Sequence, residues 1–335
     1  MTFLDWLSNL IPFIVVLALF IVIRRAASQP LWAEAIRRLK SNRLAMTALG
    51  FIAVFGAIAF CDSISWRQNS NAPSLSLIDR AFSRPDEPTY SAPFATMTFG
   101  EPTPRPLLAT HWLGTDGTGQ DVFYQTLKGC RTASIIGGFT LIIATPLALV
   151  FGMMAGYFGK RVDDAIQYSY TMLDSIPNIL LLVALLMVMG RGVPQLCFAL
   201  GVTSWVGLCR LTRGETLKHR DREYVRAARA MGISHGRILL RHILPNLLPL
   251  VVISTTLSFS GLVLSEAILS YLQLGVPAGT GSWGNMIDGA RLELAREPII
   301  WWNLSSASAA LFVLVLSFNI FGDALRDAID PRLRS

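Results

Sequence analysis

The chain has 335 residues, of which 52% are hydrophobic and 15% charged, with a formal net charge of +7; soluble domains carry about 25% charged residues. The apolar residues gather in blocks of about 20, the length that crosses a hydrocarbon core of roughly 30 Å as a helix, and the alternation expected of barrel strands is absent. A soluble globular class is excluded, and membrane topology accounts for the positive charge without any nucleic-acid partner.

The first apolar block, 10–23, has Asp5 before it and Arg24 and Arg25 after it. That order is the reverse of a secretory signal and predicts an anchor helix with its N-terminus outside, with a helix lying in the interface as the alternative for so short a stretch. Six further blocks follow at 43–61, 132–158, 166–190, 194–212, 246–272 and 300–321, so about seven transmembrane helices are expected in an all-α polytopic membrane protein. Alternation places 24–43, 159–165, 213–245 and 322–335 on one side. The basic runs Arg37-Arg38-Leu39-Lys40 and Arg220 through Arg241 lie in these segments and mark that side as cytoplasmic. Segments 62–131 and 273–299 fall outside.

Segment 62–131 is rich in Pro, Ser and Thr, as in Glu101-Pro102-Thr103-Pro104-Arg105-Pro106, and is expected to be an irregular external loop with little core of its own. Within it Gly114-Thr115-Asp116-Gly117-Thr118-Gly119 lacks the lysine of a phosphate-binding loop and reads as a turn leading into a helix, with Asp116 or Thr118 able to cap nearby N–H groups and direct substrate contact as the alternative. The four cysteines, Cys61, Cys130, Cys197 and Cys209, show no C-x-x-C spacing, so no metal or redox site is expected. A disulfide between Cys61 and Cys130 stays open, since spacing alone does not establish proximity.

The most informative stretch runs from Glu223-Tyr224-Val225-Arg226-Ala227-Ala228-Arg229-Ala230-Met231-Gly232 to Leu244-Pro245-Asn246. It reads as a helix of small and basic residues stopped near Gly232, then a second short helix leading into the next span. Exposed Ala and Tyr in a basic rim suit a protein docking surface; anionic lipid headgroups are the alternative for such a loop.

Ala227, Ala228, Gly232, Leu244 and Pro245 in this order resemble the cytoplasmic signature of ABC importer permeases. Arg226 stands where the wider family often has glutamate, which is similar to the oligopeptide, dipeptide and nickel branch. His111-Trp112-Leu113-Gly114-Thr115-Asp116 through Gln120-Asp121 is a second resemblance, with Gln120 where an arginine is usual. Leu269-Ser270-Tyr271-Leu272-Gln273-Leu274-Gly275-Val276-Pro277, Ser282-Trp283-Gly284-Asn285-Met286 and Phe318 through Asp327 complete a pattern similar to the C-type permease of peptide importers. The resemblance covers about 105–335 and leaves the anchor 1–30 and most of 62–104 outside.

This resemblance implies an ABC importer (type I) permease core over 132–335 with a coupling loop at 213–245, preceded by segment 31–61 with the first core span and by the periplasmic loop 62–131. It implies an ATP-driven importer of di- or oligopeptides in a bacterial inner (plasma) membrane, with nickel or peptide-antibiotic uptake as the alternative. The implied partners are a homologous B-type permease, two ABC ATPase subunits, a periplasmic or lipid-anchored solute-binding protein and membrane lipids. No cofactor is expected on this chain, ATP and magnesium belonging to the partner subunits. Glu223, Tyr224, Arg226, Ala227, Ala228, Arg229, Gly232, Leu244 and Pro245 are the implied ATPase-coupling residues, with Ala227, Ala228 and Gly232 small because the ATPase surface lies against them.

Among polar residues inside the apolar blocks, Asp174 is expected to pair with Lys160 or Arg161, and Glu266 either lines the path or forms a structural ion pair. Ser254, Thr255, Thr256 and Ser258 either line the path or bond to a neighbouring helix, and Gly152 and Gly156 form a G-x-x-x-G for close helix packing. An ATP-independent transporter would call for inverted repeats and buried mid-membrane charges, which the sequence lacks. The four histidines, His111, His219, His235 and His242, build no cluster with a nucleophile, so an enzyme is not expected.

Overall fold

The computed structural model of the chain describes Phe13 and residues 30–66, 74–100 and 102–329. Apart from Phe13, the anchor expected at 10–23 therefore lies outside the described residues. Helices α1 (Pro30–Ser41) and α2 (Arg43–Ser63) are separated at Asn42, whose side chain accepts the Ala45 N–H at 3.2 Å and so caps α2. Strands β1 (Ser65–Trp66) and β2 (Leu75–Ser76) pair antiparallel, Ser65 opposite Ser76, and lead into α3 (Leu77–Phe82). A capping box starts α3: the Ser76 hydroxyl accepts the Asp79 N–H while the Asp79 carboxylate accepts the Ser76 N–H.

The long helices follow: α4 (Val122–Phe158), α5 (Lys160–Asp174), α6 (Asn178–Met189), α7 (Val193–Thr203) and α8 (Trp205–Arg220). Short α9 (Glu223–Ala230) and α10 (His235–Ile238) precede a π-helical turn, Leu239–Ile243, that runs directly into α11 (Leu244–Tyr271). The chain closes with α12 (Trp283–Ala290), a 3₁₀ turn at Glu293–Ala295, and α13 (Trp302–Ile329).

Among the described residues four helical stretches are long and apolar enough to cross a membrane: α2, α4, His235–Tyr271 and α13. The pair α5 and α6, bent by 84°, makes a fifth if it is one span. Each described block expected from the sequence lies on helix, but two are broken. Pro177 has no N–H to continue α5 and restricts Ile176 before it, which turns the chain between α5 and α6. Block 194–212 divides at Ser204 into α7 and α8, and α7, with 11 residues, is too short to span alone.

The chain divides into two compact units, one holding the described residues up to Ile135 and from Val263 on, the other Ile136–Leu262. In the first, α13 packs on α2, α12 and α1. In the second, Gly152 and Gly156 of α4 lie against α8: a Cβ at either would come within 2.7 Å of the carbonyl oxygen of Cys209 or Arg213. The G-x-x-x-G stripe thus permits a backbone-close helix pair.

Segment 74–121 differs from the expected irregular loop. His111, Thr115, Ser91, Glu87 and Thr98 are buried in it, and its last expected residues, from Val122 on, already belong to α4. Proline density ruled out long helices, but backbone and side-chain hydrogen bonds build a core without them. Cys61 and Cys130 are both free thiols.

Candidate functional site

The basic segment between α8 and α11 folds around a buried stripe. Val225 and Ala228, three apart on α9, pack with Met153 and Tyr157 of α4 and with Ile238, Leu239, Ile243 and Leu247. Burying Val225 in this way is worth about 1.5–3 kcal/mol. At its C-terminus α9 closes in a full Schellman motif: Ile233 N–H donates to the Ala228 carbonyl at 3.1 Å and Gly232 N–H to the Arg229 carbonyl at 3.0 Å. Gly232 sits at φ +75°, the left-handed region that glycine occupies without strain, and Ile233 packs on the same cluster as Ala228.

The adjacent stripe of α9 faces away from this core. Tyr224, Ala227 and Met231, at spacing i, i+3, i+7, are exposed, and Glu223, Arg226 and Arg229 stand exposed beside them. Met231 is 72% exposed. The Arg229 guanidinium lies 5.3 Å from the centre of the Tyr157 ring, whose hydroxyl is hydrogen-bonded to His235 Nδ1 at 2.8 Å. Tyr224 Oη is 2.8 Å from His219 Nδ1 and accepts from Asn246 Nδ2 at 3.4 Å, which ties α9 to the ends of α8 and α11. Burial lowers the His219 imidazole and raises the Tyr224 phenol, favouring the neutral form of each.

Of the residues singled out in this stretch, Glu223, Tyr224, Arg226, Ala227, Arg229, Gly232 and Pro245 are exposed, Leu244 is half-buried and Ala228 is buried. The small size of Ala228 therefore answers to the chain's own core, and that of Gly232 to its backbone angle, since a Cβ there would meet nothing within 4 Å. Of the three, only Ala227 is exposed with neither the chain's own core nor a left-handed backbone angle to account for its size. The π turn before Pro245 escaped sequence reading. Leu244 N–H donates to Leu239 five residues back, so the register has already shifted where Pro245 brings no N–H.

Among the remaining intramembrane candidates, Asp174 and Glu266 have other partners than the ion pairs expected of them. Asp174 accepts from Arg210 Nη2 at 2.6 Å, not from Lys160 or Arg161, and Asp163 takes Arg213 in a two-bonded pair at 2.5 and 2.7 Å. Both arginines lie on α8, which packs beside these carboxylates although 36 and 50 residues separate the partners. Glu266 is buried and bonded to the hydroxyls of Ser270 and Ser282 rather than to a cation. Thr255 and Thr256 return their hydroxyls to the carbonyls of Val251 and Val252 in their own helix, and Ser254 is half-buried and Ser258 exposed.

In the first unit polar groups are turned inward. Asp116 Oδ1 accepts from the Thr118 N–H, the Thr118 hydroxyl and the Gln120 N–H, an Asx-type turn, while the cap of α4 is Asp121, accepting the Tyr124 N–H at 2.9 Å. His111 lies between Asp121 (2.7 Å) and Glu87 (3.3 Å). Lys128 Nζ reaches Asp62 and Asp79, both at 2.8 Å. Desolvation pushes the Asp79 carboxyl up, but the bonds from Lys128, the Ser76 N–H and Tyr124 outweigh it and hold it at about 2. Lys128 is 66 and 49 residues from its two partners, a separation that leaves no local sequence signal.

Residues 148–335 match the family described as binding-protein-dependent transport system inner membrane component. The chain belongs to this permease family. Residues 30–78 also match the N-terminal TM domain of oligopeptide transport permease C, which extends the likeness well before 105, where the sequence motifs begin. The permease is 32% identical over 307 residues to the oligopeptide transport system permease protein OppC of Bacillus subtilis (strain 168), covering 92% of each chain. It is 33% identical over 302 residues to the dipeptide transport system permease protein DppC of the same organism, covering 90% of this chain and 86% of the relative. Among solved structures it is similar to a chain of the MetNI methionine ABC transporter in an inward-facing conformation, with TM-score 0.46 and 20% identity over 62% of this chain and 94% of the other. As a member of this family the chain is a transport component, not an enzyme.

Proposed function

We propose that this permease forms, with a second and related permease, the translocation path of an ATP-driven peptide importer in a bacterial inner membrane. An external binding protein delivers the substrate, and two ATPase subunits supply the energy. The relatives named for oligopeptide and dipeptide transport support the substrate class, and the family description supports dependence on a binding protein.

The observation that carries the mechanism is the double-sided α9. Its Val225 and Ala228 stripe is committed to the chain's own core, while the Tyr224, Ala227 and Met231 stripe is exposed within a rim of arginines. Such a stripe is the surface that an ATPase groove would cover, with Ala227 allowing close approach. Because α9 is bonded to α8 and α11 through Tyr224, His219 and Asn246, a push on it is passed to helices that leave the docking face. ATP then acts by binding one arrangement of these helices better than the other.

Purification of the tagged permease from native membranes, followed by identification of its companions and reconstitution in vesicles, tests this reading. A second permease, ATPase subunits and ATP-dependent peptide uptake are expected, and Ala227→Trp should abolish ATPase recovery while the protein stays folded. Flux of peptide through the permease alone, without ATPase, would overturn it.

A further inference from the structure

Glu266 lies on α11 near its C-terminal end and is 1% exposed. Its Oε1 accepts two hydroxyls, Ser270 Oγ at 2.8 Å and Ser282 Oγ at 2.7 Å. A hydroxyl that spends its proton on the carboxyl oxygen has its lone pairs free for another donor. Both are used in that way: Ser282 Oγ accepts the Gly284 N–H at 3.1 Å, in the first turn of α12, and Ser270 Oγ accepts the Val276 N–H at 3.3 Å, in the connecting loop. One side chain on α11 thereby sets the hydroxyl orientation on which both the loop and the start of α12 are hung.

The packing around this relay leaves no slack. A Cβ at Gly284 would lie 2.6 Å from Ser270 Cβ, and one at Gly275 would collide with the Ser270 hydroxyl. The same loop is bonded to the end of α11 through the Leu274 and Gly275 N–H groups, which donate to the Leu269 carbonyl at 2.8 and 2.9 Å. Trp283 is buried and donates its indole N–H to the Thr126 carbonyl at 3.0 Å, so α12 is held from a second side by α4.

We propose that Glu266 is a positioning residue that locks α12 and the loop 272–282 onto the end of α11, so that this face of the permease is presented as one rigid piece. The motif Ser282-Trp283-Gly284 is then read as the receiving half of the clasp: serine to take the carboxyl oxygen, tryptophan to anchor on α4, glycine to let α12 approach Ser270. Only an acceptor oxygen is needed at 266, so glutamine fills the role and alanine does not. The consequence for uptake rests on the proposed importer function; the consequence for α12 does not.

The test is hydrogen exchange on the full chain in nanodiscs, comparing wild type, Glu266→Ala, Glu266→Gln and Ser282→Ala, together with binding-protein-dependent uptake. Amides of 283–290 should exchange about tenfold faster in Glu266→Ala and several-fold faster in Ser282→Ala, and stay within about twofold of wild type in Glu266→Gln. In uptake, Glu266→Gln should restore what Glu266→Ala loses, and Ser282→Ala should raise the binding-protein concentration for half-maximal rate more than it lowers the maximal rate. Unchanged exchange in Ser282→Ala, or equal exchange in the Gln and Ala variants, would overturn the clasp. Loss of uptake in Glu266→Gln with exchange unchanged would overturn the consequence drawn for uptake, since the carboxylate would then act by charge, and would leave the clasp on α12 standing. If wild type shows no uptake at all while the exchange pattern holds, the importer reading fails and the clasp stands.

Discussion

Segments 74–121 and 221–243 are both polar stretches between apolar helices, and they use their polar residues in opposite ways. In 74–121 the charges and hydroxyls are spent on the chain itself: His111 sits buried between Glu87 and Asp121, and Thr115 donates its hydroxyl to the Thr89 carbonyl. In 221–243 only apolar side chains turn inward, through Val225, Ala228 and Ile238, while Arg222, Arg226, Arg237 and Arg241 stay exposed. A segment that turns its buried histidine and hydroxyls onto its own groups leaves few of them for a partner, although Glu87 Oε2 and Arg84 Nη1 are buried there without a hydrogen bond. One that keeps its cations and a tyrosine–alanine–methionine stripe outside leaves the surface that the proposed ATPase contact would use.

The sharpest way to break this contrast is to exchange the two faces of α9. Val225→Asp places a carboxylate in the apolar cluster and should cost about 3–4 kcal/mol, read as a lowered unfolding temperature in detergent and a reduced amount in membranes. Arg226→Asp, one residue on and exposed, should change stability by less than about 0.5 kcal/mol while losing ATPase recovery. Equal destabilisation by both would mean that α9 has no free face.

Lys128→Ala leaves the nearly buried Asp62 and its neighbour Asp79 without their shared cation and should cost about 2–3 kcal/mol, again by thermal unfolding. The same cluster has a pH signature. The folded-state pKa of Asp79 is depressed from 3.8 to about 2, so its stabilising contribution is present above about pH 4 and is lost as the pH falls toward 2. Melting temperature should drop across that window in wild type and drop less in Asp79→Asn.

The smallest effect concerns Gly232. With φ at +75° and open space around it, Gly232→Ala should cost about 1 kcal/mol through backbone strain, and Gly232→Asn less, because asparagine tolerates the left-handed region. Thermal unfolding checks the strain and ATPase recovery checks the proposed docking face. Loss of the ATPase in Gly232→Asn at unchanged stability would show that a partner surface, besides the backbone angle, requires glycine there.

The sequence by itself determined the membrane class from block length, the helical state of every described block, and the stop of α9 at Gly232, because these depend on residues within a few turns of one another. Its motifs also indicated the permease family. Tertiary structure decided which of the two alanines faces inward, that Asp174 pairs with Arg210, that Glu266 holds Ser282 besides the Ser270 one turn on in its own helix, and that 74–121 has a core. Each of these joins residues brought together by packing, and a side chain in such a place is satisfied by whichever donor the fold brings within about 3 Å, not by its neighbours along the chain.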